Sequence, residues 1–136
     1  MKRINEALVF LPVLAPQEVA ASTDKTTSYV DVSGVDEIAF LVTAAALGAN
    51  KGLTVSLMAA SDSSGSDAEE VGKATFTDSV GTEPQLAVVT YQVSALHGRY
   101  VAVKFQHDAA AEVVCGVVAA TSGLYRPAAN GWTLVV

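Results

Sequence analysis

The sequence contains few of the residues that enzyme and metal sites need. It has one cysteine, Cys115, and two histidines among 136 residues. One cysteine excludes an internal disulfide, and three such ligands scattered along the chain do not form a zinc motif. No Gly-rich phosphate loop follows a strand pattern, and no Ser/His/Asp set has an interpretable spacing. We therefore predict no catalytic residues, no cofactor-binding residues, no metal site and no enzymatic activity.

Charge is scarce as well, and basic charge most of all. Charged residues make up 16% of the chain, against roughly 25% in an average soluble domain. The eight Lys and Arg residues are scattered among 14 Asp and Glu residues, and the net charge is −6. Such a chain gains nothing from releasing counterions on nucleic acid, so we predict no nucleic-acid partner.

Hydrophobic residues, in contrast, make up 51% of the chain. A small domain with so little charge favours a surface that other protein chains partly cover. The alternative is that the excess is mostly alanine, which surfaces tolerate. The apolar run Ala7–Ala15 is far shorter than the ~20 residues that span a bilayer, so we predict no membrane partner.

The N-terminal segment combines apolar side chains with two prolines. Asn5 and Glu6 interrupt what would otherwise resemble a weak signal peptide. Pro12 and Pro16 disfavour both a helix interior and a central strand. We predict an extended apolar arm over residues 1–16, followed by a single β-sandwich domain over residues 17–136.

The pattern of the stretch Gly98–Thr121 is the most regular in the chain. Val101, Val103 and Phe105 alternate with more polar residues, which is typical of a strand with one buried face. Residues 112–121 are apolar on both faces and predict a strand covered on both sides. The linker 107–111 predicts an antiparallel hairpin between the two.

Short strands with turn residues between them recur through the rest of the chain. The patterns predict strands at 28–32, 37–43, 53–60, 73–77, 86–93 and 132–136. With the two strands above, they predict an all-β fold: an antiparallel sandwich or jelly-roll-like barrel of seven or eight strands, with an N-terminal arm and a C-terminal tail.

Three features could carry chemistry, and a plainer interpretation is preferred for each. The acidic stretch 62–70 offers oxygen ligands for calcium, but it lacks the EF-hand order and is typical of a solvated loop. His97 and His107 lie about 30 Å apart on an extended strand and are expected to be surface loop residues. Cys115 lies in the most apolar strand and is expected to be a small buried hydrophobic residue.

The order of these patterns resembles a known family. An extended strand and a Gly turn precede a hydrophobic strand, and a further strand leads into a Ser/Asp/Gly loop. Then come an Arg-Tyr-Val strand, a Val/Ala-rich strand and a late Arg-Pro; the matching segments are residues 29–42, 53–67, 99–101, 113–120 and 126–127. This order is similar to that of small tailed-phage virion proteins of the capsid decoration (cement) or head-accessory kind.

The resemblance implies a non-catalytic protein on the capsid exterior. Its expected partners are the major capsid protein and copies of itself, a trimer being one such assembly. Alternatives are a tail or neck component of a phage particle and a carbohydrate-binding β-sandwich. Apolar contacts of the arm and tail are expected to hold it to the lattice, through Leu8, Phe10, Leu11, Leu14, Tyr125, Arg126, Trp132 and Leu134.

Overall fold

The chain folds as a sandwich of two open antiparallel sheets, which confirms the predicted all-β class. A computed structural model describes residues 7–123. The predicted contact residues Tyr125, Arg126, Trp132 and Leu134 lie outside the described residues, as do the strand predicted at 132–136 and residues 1–6 of the predicted arm. The described strands are β1 (Val9–Val19), β2 (Lys25–Thr26), β3 (Val30–Asp31), β4 (Val35–Ala44), β5 (Lys51–Ala60), β6 (Glu69–Asp78), β7 (Gln85–Gln92), β8 (Tyr100–His107) and β9 (Val113–Gly123).

The strands form two layers. One sheet has the order β1-β9-β4-β7, and the other has the order β2-β8-β5-β6, with β3 also pairing with β8. Alternate residues of each strand enter the core between the layers, as the period of two requires. On β4 these are Ile38, Phe40 and Val42, all fully buried, and on β8 they are Val101, Val103 and Phe105. The buried face predicted for β8 is confirmed.

Strand β1 is an edge of the four-stranded sheet. Among the described strands it pairs only with β9, and the register shifts between Pro12 and Leu14 and again between Leu14 and Gln17. Its residues Val9 and Val13 are buried in the core. The predicted division between arm and domain at residues 16 and 17 therefore falls inside one strand, and the described part of the arm belongs to this sheet.

The predicted hairpin between the last two strands is wrong. Strand β8 pairs with β5 in the five-stranded sheet, whereas β9 lies between β1 and β4 in the other sheet. Residues 108–112 cross from one layer to the other, a distance of about 10 Å. The Asp108 N–H donates to the Gly52 carbonyl at 3.1 Å and its carboxylate accepts from the Gly52 N–H, so the start of this crossing is tied to β5.

Candidate functional site

The outer face of the four-stranded sheet is apolar across all four strands. Because Phe40 and Val42 point into the core, their neighbour Leu41 points outward. The register places Pro12 beside Val118, Val118 beside Leu41, and Leu41 beside Val88. One continuous row of apolar side chains therefore crosses β1, β9, β4 and β7, a width of about 14 Å at the usual strand spacing.

Neighbouring rows extend this surface along the strands. We call the whole set the outer apolar face: Phe10, Pro12, Ala39, Leu41, Leu86, Val88, Val114, Val118 and Ala120. Val118 is 43% exposed, Val88 49% and Leu86 58%. The surface covers roughly 400 Å², a size that on a single chain is often a binding site.

Charge is confined to the ends of this face. Among its described outward residues, the only charged ones are Glu18 near one end and Glu37 near the other. The middle rows contain Thr43 and Thr90 as their only polar side chains. A surface of this kind is poorly suited to ions or nucleic acid and well suited to another apolar protein surface.

The outer face of the five-stranded sheet is different in character. Its register sets Ser56 beside Lys73 and Lys104, Thr54 beside Thr75, and Met58 beside Glu70. The hydroxyls of Thr54 and Thr75 lie 3.1 Å apart. One side of the sandwich is thus hydrophilic and the other apolar, so an apolar partner has one obvious side on which to dock.

The structure separates the predicted N-terminal contact residues. Leu11 and Leu14 are half-buried and pack against the core, whereas Phe10 lies opposite Ala120 on the outer apolar face. Leu8 is half-buried just before β1. The inner face of β9 is buried as predicted, but its outer face is covered only in part: Ala120 is buried there, whereas Val114 and Val118 are exposed.

Leu86, Val88 and Leu41 are the outward residues that sequence patterns missed. Each alternates with a buried neighbour, and the alternation itself was visible in the sequence. Nothing in the local pattern says that an apolar outward residue faces solvent, because this depends on which strands become neighbours.

A cleft opens between the free edges of β6 and β7. It has a volume of about 390 Å³, and its walls include Val55, Leu57, Phe76, Val89 and Tyr91. Phe76 points into this space yet is 43% exposed, because the two sheet edges do not close over it. It is the only aromatic side chain of residues 7–123 that is exposed rather than half-buried or buried, which leaves little for sugar stacking.

The acidic loop is organised around its own hydroxyl groups. Asp62 accepts hydrogen bonds from the hydroxyls of Ser64 (2.6 Å) and Ser66 (2.8 Å) and from the Gly65 N–H (2.9 Å). The backbone N–H of Ser61 and its hydroxyl both donate to Asp67. No group of three metal-ligating side chains occurs among the described residues.

We expect Asp62 to titrate well below an ordinary aspartate. The hydrogen bonds from Ser64 and Ser66 lower its pKa from 3.8 to about 2. Because the folded pKa is the lower one, these bonds stabilise the loop fully above pH 3.8 and are lost as the pH falls toward 2. NMR titration of the Ser64 and Ser66 amide shifts should show a midpoint near 2 that is absent in Asp62→Asn; a midpoint near 3.8 would contradict the prediction.

The two histidines have different environments, and one expectation for them is wrong. His97 is partly exposed and lies 2.8 Å from a Glu69 carboxylate oxygen. His107 is not a surface loop residue but the last residue of β8, fully buried on its inner face. Its Nε2 donates to the Val19 carbonyl at 2.7 Å, and its Nδ1 accepts from the Ala109 N–H at 3.2 Å.

Two further groups have structural partners. Cys115 is buried as predicted, and burial raises the pKa of its thiol. Arg99 donates to the Asp31 carboxylate at 2.6 Å and lies 5.2 Å from the Tyr100 ring centre. The bond to Arg99 is the main reason that the pKa of Asp31 falls to about 2. In residues 7–123, no helix has the length and hydropathy that a membrane crossing requires.

Comparisons with known proteins find the fold but no family. No family model and no curated protein matches the sequence. The PBSX exported protein XepA aligns with 100% of this chain and 44% of its own, at a TM-score of 0.60 and 7% identity. A protein in the structure of infectious bursal disease virus, Gx strain, aligns with 88% of this chain and 33% of its own, at 0.57 and 9%.

A third similar structure matches in length as well. A protein of Bacillus endospore appendages, described as a family of disulfide-linked pili, aligns with 88% of this chain and 91% of its own, at a TM-score of 0.50 and 19% identity. The chain thus spans less than half of XepA and a third of the virus protein. What the three share with it is a β-sandwich fold, which occurs in phage, viral and appendage proteins alike.

Proposed function

We propose that this protein is a structural virion protein that decorates a capsid, seating its outer apolar face on the shell. The observation that carries the proposal is that face: a four-strand surface with charge only at its ends. Occurrence of the same fold in a phage exported protein and in a virus structure supports a virion role. The shell protein is the partner, and an apolar patch of similar size is what it must offer.

The other predicted contacts belong to the same proposal. Phe10 adjoins Pro12 on the outer apolar face and Leu8 lies just before β1, whereas Leu11 and Leu14 pack against the core and help to hold the strand that carries Phe10. Tyr125, Arg126, Trp132 and Leu134 are proposed to extend the contact after β9. A net charge of −6 favours the capsid exterior, because a protein that faces packaged DNA is more often neutral or basic.

One seated copy is expected to bind weakly. Roughly 400 Å² on each partner amounts to about 800 Å² buried in total, which is below the ~1,200 Å² at which stable protein interfaces begin. Association also costs several kcal/mol in lost translational and rotational freedom, which so small a contact offsets only in part. Firm attachment therefore needs more than one contact per bound unit, as multivalent attachment provides.

A pilus subunit is the alternative that the endospore appendage structure suggests. Disulfide links between subunits would need accessible cysteines. The single cysteine here, Cys115, is 1% exposed in a central strand and its sulfur lies 3.6 Å from the Val113 carbonyl oxygen. A disulfide-linked filament of this chain is therefore not supported, and the capsid remains the better proposal.

The proposal predicts that one buried charge will prevent docking. Val118→Lys places an ammonium at the centre of the outer apolar face, where seating would remove it from water without a partner. We expect its affinity for undecorated capsids of the same virus to fall at least ~10-fold. Occupancy is measured by co-sedimentation, with circular dichroism to verify folding.

The matched control is Val80→Lys. Val80 is 64% exposed in the loop before β7 and lies outside the outer apolar face. The same chemical change there should leave occupancy unaltered. Undiminished occupancy of the Val118→Lys protein would overturn the proposed docking face, and microscopy that places the protein on the tail would move it to the alternative particle component.

A further inference from the structure

Strand β7 is the one described sheet edge that has no protection against pairing. Edge β1 contains Pro12 and Pro16 and two register shifts, and the edge opposite β6 is broken into the two-residue strands β2 and β3. Edge β6 carries charged residues and a register shift. Prolines, charges, short strands and bulges are the devices by which proteins protect sheet edges.

Residues 85–92 have none of these devices. The strand is eight residues long, contains no charge, proline or glycine, and keeps an unbroken register with β4. Within the described chain, β4 is its only hydrogen-bonded partner. An edge that is long, regular and uncharged is a template for pairing with another strand.

The hydrogen-bonding groups at this edge can be assigned. The Val93 N–H donates to the Asp36 carbonyl of β4 at 3.0 Å. Backbone groups of successive residues point to opposite sides of an antiparallel strand, so residues 93, 91, 89 and 87 face β4. Leu86, Val88, Thr90 and Gln92 therefore present their N–H and C=O groups to the open edge.

We propose that two copies of this chain pair through β7, related by a two-fold axis, and form one continuous eight-stranded sheet. A two-fold axis across an edge makes the pairing antiparallel and isologous. Self-pairing of an uncharged strand opposes no like charges, whereas self-pairing of β6 about its middle would bring Lys73 of one copy beside Lys73 of the other. A second copy is thus the occupant that this strand fits best.

The register is nearly determined by the faces. Residues that oppose each other across the contact must lie on the same face of the joined sheet. Their numbers must therefore be both even or both odd, which excludes every second register. Two of the allowed registers pair the largest number of residues. One places Val88 opposite Val88 of the other copy, and the other places Val89 opposite Val89 of the other copy. In both, Val88 stays on the outer surface and Val89 lines the cleft with Phe76.

The contact has about the size that a specific dimer needs. An eight-residue strand is about 27 Å long, and the two layers with their side chains are about 20 Å deep. The contact then buries on the order of 500 Å² per copy and 1,000 Å² in total, which is the lower limit for a specific interface. Pairing would also join two outer apolar faces side by side and double the surface available for docking.

The mass of the purified full chain tests this without any capsid. By light scattering at about 100 µM, we expect the native protein to be a dimer. Val88→Lys should raise the dissociation constant at least ~10-fold, because Lys is the residue that most often protects natural edges. Thr90→Pro, which removes an edge N–H and no bond to β4, should do the same while leaving the outer apolar face intact.

Val118→Lys is the matched control, since Val118 has similar exposure on the same face but lies on the central strand β9. This variant should stay dimeric while it loses capsid docking. Failure of the docking proposal can therefore be distinguished from failure of the β7 dimer. A native protein that is monomeric or trimeric at that concentration would overturn β7 pairing. So would dissociation by Val118→Lys as strong as that by Val88→Lys, or a dimer that depends on residues 124–136 and not on β7.

Discussion

Replacing His107 by alanine is expected to lower the free energy of unfolding by about 3 kcal/mol. The imidazole is fully buried where β8 ends, and it bonds the Val19 carbonyl of β1 and the Ala109 N–H of the crossing loop. Alanine would leave a cavity and two buried backbone groups without partners. Since His107 connects strands of opposite sheets, both layers lose support at this end of the sandwich.

Urea denaturation followed by circular dichroism measures the effect of His107→Ala. The matched control is His97→Ala, because the His97 side chain is 31% exposed and contacts an exposed Glu69. That change should cost less than about 1 kcal/mol. Equal losses for the two histidines would show that the buried bonds of His107 contribute little.

Gly98→Ala is the second change with a large expected effect. A Cβ at Gly98 would lie 2.1 Å from the Ala60 carbonyl oxygen and 2.3 Å from its carbon. Both are backbone atoms at the end of β5, so no side-chain rotation can relieve the overlap. We expect a loss of about 3 kcal/mol, because the turn that leads into β8 must move away from β5.

Gly72→Ala provides the control for Gly98→Ala. Gly72 lies in β6, and a Cβ there would meet no atom within 4 Å. Alanine at that position should be neutral or slightly stabilising, by about 0.5 kcal/mol, since it restricts the unfolded chain. The same urea titration compares both variants, and a Gly98→Ala protein as stable as Gly72→Ala would contradict the close approach of the turn to β5.

Local periodicity predicted seven of the nine described strands, but not β1, whose prolines pointed to an extended arm, or the two-residue strand β2. The alternation of Val101, Val103 and Phe105 with more polar residues predicts one buried face, and all three residues are buried. The same alternation in β8 continues from Phe105 to His107, so it already contained the signal that this histidine points inward. Histidine is intermediate between buried and exposed residue types, so its identity alone does not predict a surface position.

Tertiary pairing was not predictable from the same patterns. A five-residue linker after β8 fits a hairpin and also fits a crossing between two sheets about 10 Å apart. The choice depends on which neighbours β9 finds, and β9 finds β1 and β4. The outer apolar face has the same origin: Val118, Leu41 and Val88 are distant in sequence and become one surface only through that pairing.

The difference between the two sheet faces has a consequence for any particle that carries this protein. A sandwich that docks through its outer apolar face must expose its opposite face, with Lys73, Lys104 and Glu70, to the surrounding water. Each bound copy would then cover an apolar patch of the shell and replace it with a charged, hydrated surface. A particle with every site occupied should aggregate less than a particle without the protein, independently of any gain in mechanical strength.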